Sequence, residues 1–280
     1  MKTIAITGAS SDIGRAIAHG VDGTGHELVL VGRDVGRLEE TATGLRSRTR
    51  CVQADLSTLA GARRLADTLA ALPRLDVLVH NAAVAPTGLH LTADGFEEAF
   101  AVNHLGPFVV NDCLRDRFVA DGTRLVQLGT ALYVLGRVDL ERGPYGGRFY
   151  SRRTLLSSKL WNLVATIELS RSGVKANVVH PGVVNPDRAG FAGPLGLFSR
   201  LGARFAVTPA EAARGPVALA IAPEHEWTSG RYFDGLSEAR LRGMARRPGI
   251  GRAVVERTRE LVQAGGITTI RTTQDRGELG

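Results

Sequence analysis

Short apolar runs rich in β-branched residues recur along the chain: KTIAIT (2–7), ELVLVG (27–32), RCVQA (50–54), DVLVHN (76–81), RLVQLG (124–129) and KANVVH (175–180). Nearly continuous apolar runs of this length suit strands buried on both faces of a parallel sheet. Between them lie segments with helical spacing: SDIGRAIAHGV, DVGRLEETATGLR, STLAGARRLADTLAAL, the long stretch 92–120, and 151–171. The alternation predicts the α/β class, a doubly wound parallel sheet in a single domain with helices on both faces. Residues 182–207 are rich in Gly and Pro and read as a long loop, of the kind that often binds substrate. Thr208, Pro209 and Glu211 then spell a helix start: N-cap, first helical residue and capping-box acid. SGRYFDG reads as a last short strand. The Arg-rich tail after about 240 carries no pattern that places it.

The chain has 280 residues, 44% of them hydrophobic, enough for one sizeable core. Its formal charge is +7, but the basic residues are scattered and aromatics are few, which argues against nucleic-acid binding. Cys51 and Cys113 form no CxxC pair or ligand cluster, so neither a disulfide framework nor a metal site is expected. No apolar run approaches the ~20 residues of a membrane helix. Met1 and Lys2 lead directly into a strand, so the expected location is the cytoplasm, with no membrane partner.

TIAITGASSDIGRAIA is strand, glycine turn, helix, an arrangement that aims free backbone N–H groups at a pyrophosphate. Gly8 permits the sharp turn and Gly14 close helix–strand packing. Because this turn follows the first strand of an α/β pattern, it carries more weight than a lone glycine motif.

That segment resembles the T-G-x-x-x-G-x-G turn of the short-chain dehydrogenase/reductase family, with Thr7, Gly8 and Gly14 matching and Asp12 at the middle glycine. The resemblance implies that Gly8, Ser10, Ser11, Asp12, Ile13, Gly14 and Arg15 contact a dinucleotide. Asp12 reads either as a helix N-cap or as a charge that weakens phosphate binding and that Arg15 offsets. After the second strand, Gly32 leaves space and Arg33 offers a cation suited to a 2′-phosphate, so NADP(H) is expected over NAD(H). CVQADLST places Asp55 and Leu56 at the family's adenine contact. VLVHNAAV resembles N-N-A-G, with Asn81, Ala82 and Ala83 along the cofactor and His80 as a structural residue. FAVNHLGPFVV, HPGVVNP and SGRYF are similar to a retinol-dehydrogenase-like branch. They place Asn103 at a water relay and Pro181, Gly182 and Val184 near the nicotinamide. The resemblance spans about residues 2–236.

The family's catalytic set is Ser, Tyr and Lys. Here Thr130 falls at the Ser and Lys159 at the Lys, where it also holds the nicotinamide ribose. Leu155 stands at the Tyr, one helical turn before Lys159 on the same side. Leucine has no proton to give, and general acid assistance contributes ~10² to 10⁴-fold in rate. Tyr133, Tyr145 and Tyr150 are the candidates to replace the hydroxyl. Tyr133, Leu155 and Asn185 are expected to line the substrate pocket.

Three functions follow as expectations. The first is an NADP(H)-dependent oxidoreductase of small alcohols or carbonyl compounds, using Asn103, Thr130 and Lys159. The second is a non-redox enzyme on the same scaffold, a cyclase, dehydratase or isomerase of specialised metabolism, with the cofactor structural or absent. The loop's Phe191, Leu195, Leu197 and Phe198 would suit its bulky apolar substrate. The third is a catalytically silent binding protein. The resemblance also implies a homodimer or homotetramer assembled through helices at about 98–118 and 151–171.

Overall fold

The computed structural model describes residues 2–23, 25–141, 151–184, 206–223 and 226–265. Eight strands form one sheet in the order β3-β2-β1-β4-β5-β6-β7-β8, parallel throughout except for the last pair. The strands are β1 (Thr3–Thr7), β2 (Glu27–Gly32), β3 (Arg48–Gln53), β4 (Val77–His80), β5 (Arg124–Leu128), β6 (Lys175–His180), β7 (Tyr232–Asp234) and β8 (Ser237–Ala239). The strand order reverses between β1 and β4, and such a switch opens a crevice at the carboxyl ends of the strands.

Alternate strand residues feed two cores. Ile4, Ile6, Leu28 and Leu30 face one side, under α1 (Asp12–Val21), α2 (Val35–Thr43) and α7 (Pro209–Ile221). Ala5, Val29, Val31 and Leu78 face the other. There they pack under α3 (Leu59–Ala70), α5 (Gly106–Asp121), α6 (Ser151–Ser170) and α8 (Ile250–Gln263). This is the doubly wound single domain that the periodicity predicts.

The stretch expected to be one helix over 92–120 is divided. A single helical turn, α4 (Glu98–Phe100), leads into a π-turn over Ala101–Leu105, and α5 follows. Pro107 lies in the first turn of α5, where its missing N–H costs that helix nothing but denies a donor to the turn before. Beyond the expected last strand the chain adds β8 and the amphipathic helix α8. Val254 and Thr258 of α8 are fully buried, and Arg259 pairs with Asp112 of α5 at 2.9 Å. The face of α5 and α6 to which the resemblance assigns subunit contacts is thus partly covered by the chain's own α8.

Candidate active site

The glycine turn is built as its sequence requires. Gly8 has φ +64°, and a Cβ there would lie 2.8 Å from Ala82 Cα. A Cβ on Gly14 would collide with the Gly8 carbonyl. Asn81 ties the turn to β4: its Nδ2 lies 3.0 Å from Thr7 O, 2.9 Å from Gly8 O and 3.1 Å from Ser11 Oγ. The N-cap of α1 is Ser11, whose Oγ accepts from Gly14 N at 3.1 Å. Asp12 is therefore not the cap. It is the first helical residue, exposed, where a carboxylate complements the helix dipole.

Next to this turn opens a cleft of about 380 Å³, lined on the turn side by Gly8, Ser10 and Ser11. Its other walls come from Arg33 and Arg37, from Asp55 and Leu56, and from Asn81, Ala82, Ala83, Val84 and Val102. It brings together nine of the expected cofactor residues. Asp12, Ile13, Gly14, Arg15, Lys159, Pro181, Gly182 and Val184 do not line it. Arg15 donates to Ser10 O at 3.2 Å and pairs with Glu40 at 3.2 Å. Arg37, and not Arg15, lines the cleft. It reaches back across the cleft mouth to Ser10 O at 3.2 Å, one helical turn after Arg33. The spacing of Arg33 and Arg37 was present in GRDVGR. Asp34, which caps α2 by accepting from Arg37 N at 3.1 Å, is what turns the spacing into a two-cation rim.

The cleft donors fit a nicotinamide dinucleotide. The Ala82 and Ala83 wall leaves room, Ser10 and Ser11 sit at a helix N-terminus, and two guanidiniums stand at the ribose end.

At the reacting end, Lys159 Nζ donates to Leu128 O at 3.4 Å, at the carboxyl end of β5. Burial alone lowers the Lys159 pKa to about 8. Two residues after Leu128, Thr130 Oγ1 accepts from Leu132 N at 3.3 Å, which leaves its proton available to a substrate oxygen. Leu155 is half-buried one turn before Lys159, and its carbonyl accepts from Ser158 Oγ at 2.7 Å. Asn103, fully buried, holds Val84 by both backbone groups, at 2.8 Å and 3.0 Å, and donates to Ser158 Oγ at 3.2 Å. Asn103 therefore links the cofactor cleft, through Val84, to the helix turn of Lys159. Val84 and Ser158 escaped the sequence reading because their parts depend on this tertiary contact.

Tyr133 does not line the pocket. Its ring is 2% exposed, stands edge-on to Tyr232 at 5.4 Å, and its hydroxyl accepts from Arg242 N at 2.9 Å. The apolar neighbours Val134 and Leu135 gave no sign of this; the partner comes from the unplaced tail. His80 is structural, as expected: fully buried, it meets Asn111 Oδ1 at 2.9 Å, and burial lowers its pKa to about 4. Pro181, Gly182 and Val184 follow β6. Gly182, at φ +92°, packs on Val207, and Val207 N donates to Val183 O at 3.0 Å. Asn185, most of the 182–207 loop, Tyr145 and Tyr150 lie outside the described residues. No group of three metal-binding side chains occurs among the described residues, and none of the described helices is long and apolar enough to cross a membrane.

A family model described as short chain dehydrogenase matches residues 2–129. Mouse retinol dehydrogenase 13 is 34% identical over 258 residues, covering 85% of this chain and 76% of the relative. The chain belongs to the short-chain dehydrogenase/reductase family. Within it, the similarity is to retinol-dehydrogenase-like members. Among solved structures, an uncharacterised protein from Mycobacterium paratuberculosis superposes with TM-score 0.75 at 26% identity, over 94% of each chain. A short-chain dehydrogenase from Sphingobium yanoikuyae in complex with NADPH superposes with TM-score 0.60 at 27% identity, covering 78% of this chain and 83% of that one. An oxidoreductase scaffold with a nicotinamide-cofactor cleft is the coarse functional statement these similarities support.

Proposed function

We propose that the protein is an NADP(H)-dependent oxidoreductase of a small alcohol or carbonyl substrate in which Lys159, rather than a tyrosine, supplies the proton. The carrying observation is that the Lys159 ammonium reaches the carboxyl end of β5 at Leu128, two residues before Thr130, from a helix turn tied to the cleft through Ser158, Asn103 and Val84. The turn at Gly8, Ser10 and Ser11 would hold the pyrophosphate, Asp55 and Leu56 the adenine end, and Ala82 and Ala83 would let the cofactor pass. Arg33 and Arg37 would hold the 2′-phosphate, because a divalent anion between two guanidiniums gains charge-assisted hydrogen bonds that a bare hydroxyl cannot. When bound, the cofactor supplies the hydride. Thr130 orients the carbonyl oxygen. As the carbonyl carbon is reduced, the ammonium of Lys159 gives its proton to the oxygen and regains one from solvent.

Leu155 occupies the position from which other family members donate that proton. Burial lowers the Lys159 pKa to about 8, where an ammonium is a competent acid. The same poised lysine supports a second reading, a non-redox proton-shifting enzyme on the same scaffold.

The test is a fluorescence titration with NADPH and NADH, followed by a panel of ketones with NADPH consumption recorded. The reading expects NADPH to bind at least about tenfold more tightly than NADH, equivalent to ~1.4 kcal/mol, with Arg33→Ala and Arg37→Ala each eroding the difference. It also expects NADPH to be consumed. Tighter NADH binding would overturn the cofactor choice. Substrate conversion without NADPH loss would favour the second reading.

A further inference from the structure

Asn103 lies in the π-turn, four residues before Pro107. In an α-helix its carbonyl would accept from the amide of residue 107, which proline lacks; in the π-turn the backbone bonds span five residues, as from Gly106 N to Ala101 O. Asn103 is fully buried, so solvent does not reach it. The side-chain amide of Asn162 donates to this carbonyl. Asn162 is itself 4% exposed, and Thr166 Oγ1 donates to its Oδ1 at 3.2 Å, which fixes the amide so that its NH₂ points at Asn103. Asn162 lies on α6 three residues after Lys159. It therefore joins the π-turn to the helix that carries the lysine, beside the Asn103–Ser158 contact.

We propose that Asn162 is a positioning residue: it supplies the hydrogen bond that Pro107 denies to Asn103, and so fixes the π-turn between the cofactor cleft and the helix turn of Lys159. This rests on Lys159 being the reacting cation. Without Asn162, the Asn103 carbonyl would seek water, the π-turn would loosen, and the Asn103 side chain would lose its hold on Val84 and Ser158. Water reaching Lys159 would relieve the desolvation that depresses its pKa.

Pro107 makes the idea testable, because Pro107→Ala returns an amide where the carbonyl can find it. Asn162→Leu removes the donor at nearly constant volume. Should that variant fail to fold, Asn162→Ala removes the same donor without a branched side chain. Two measurements apply: hydrogen exchange of amides 101–106, and acylation of Lys159 against pH by mass spectrometry. With only three lysines in the chain, each is resolved separately. Asn162→Leu is expected to speed exchange about tenfold or more and to move the Lys159 titration midpoint upward. Asn162→Leu combined with Pro107→Ala is expected to return most of both effects, a coupling that mere space-filling does not produce. Equal perturbation of the single and double variants, or an unmoved Lys159 midpoint in a destabilised protein, would overturn the proposal. NADPH titration of the same proteins separates this outcome from the functional reading. Failure of the wild type to bind NADPH refutes that reading, while exchange and acylation still decide the role of Asn162.

Discussion

Lys159 is the residue at which stability and chemistry pull in opposite directions. Its pKa is about 8 in the folded chain, below the ordinary lysine value, so the unfolded chain binds the extra proton between those limits. The folded state therefore bears the cost of a desolvated ammonium below pH 8, and that cost fades as pH rises toward the unfolded value. Lys159→Met should raise stability by about 1–2 kcal/mol at pH 7, after discounting for residual solvent contact. The gain should shrink toward pH 10; thermal melts at both pH values check it. A gain that grows with pH would mean that the lysine is not desolvated. In carbonyl reduction the protonated form is the acid, so turnover should fall as pH rises through about 8. Gly8, Gly14 and Asn81 were legible in the sequence because each answers a local demand of the turn. Arg37 and Asn162 were not. Arg37 depends on how Asp34 caps α2, and Asn162 on a carbonyl 59 residues away in the chain.

Among the elements, those with a cap or a strict period were readable in advance. The capping box at the start of α7 forms as its sequence spells it, with Glu211 N donating to Thr208 Oγ1 at 3.2 Å and Thr208 N donating to Glu211 Oε2 at 2.7 Å. This box fixes the first turn of α7. Thr208→Ala should cost about 1 kcal/mol, a fall of ~2–4 °C in Tm for a domain of this size. No change in Tm would show that packing of α7 on α1 alone sets its start. The helix-like stretch 92–120 is helical from Glu98 to Asp121, and what its apolar spacing does not register is the π-turn before Pro107. The tail was left unplaced for a different reason. Its Arg content hid the period of Ile250, Val254, Thr258 and Leu261, and the polar Thr258 is fully buried because its hydroxyl meets His104 Nε2 at 2.9 Å.

At the level of the whole molecule, the parallel order of strands was legible because each buried strand is apolar along its length. The position of the cleft followed from the switch between β1 and β4. The covering of α5 and α6 by α8 was not legible, since it joins a segment without an evident pattern to helices assigned elsewhere. The proposed chemistry sits at the carboxyl end of β5, where Lys159 Nζ donates to Leu128 O, and in that proposal Leu155 stands at the position the resemblance gives to a tyrosine. Leu155→Tyr tests that arrangement directly, by the rate of NADPH-dependent ketone reduction at pH 7. With a proton donor restored one turn before Lys159, the rate should rise, by up to ~10²-fold. An unchanged or lower rate, in a variant that folds and binds NADPH as the wild type does, would contradict the account of Leu155 as the residue that shifts the acid's work to Lys159.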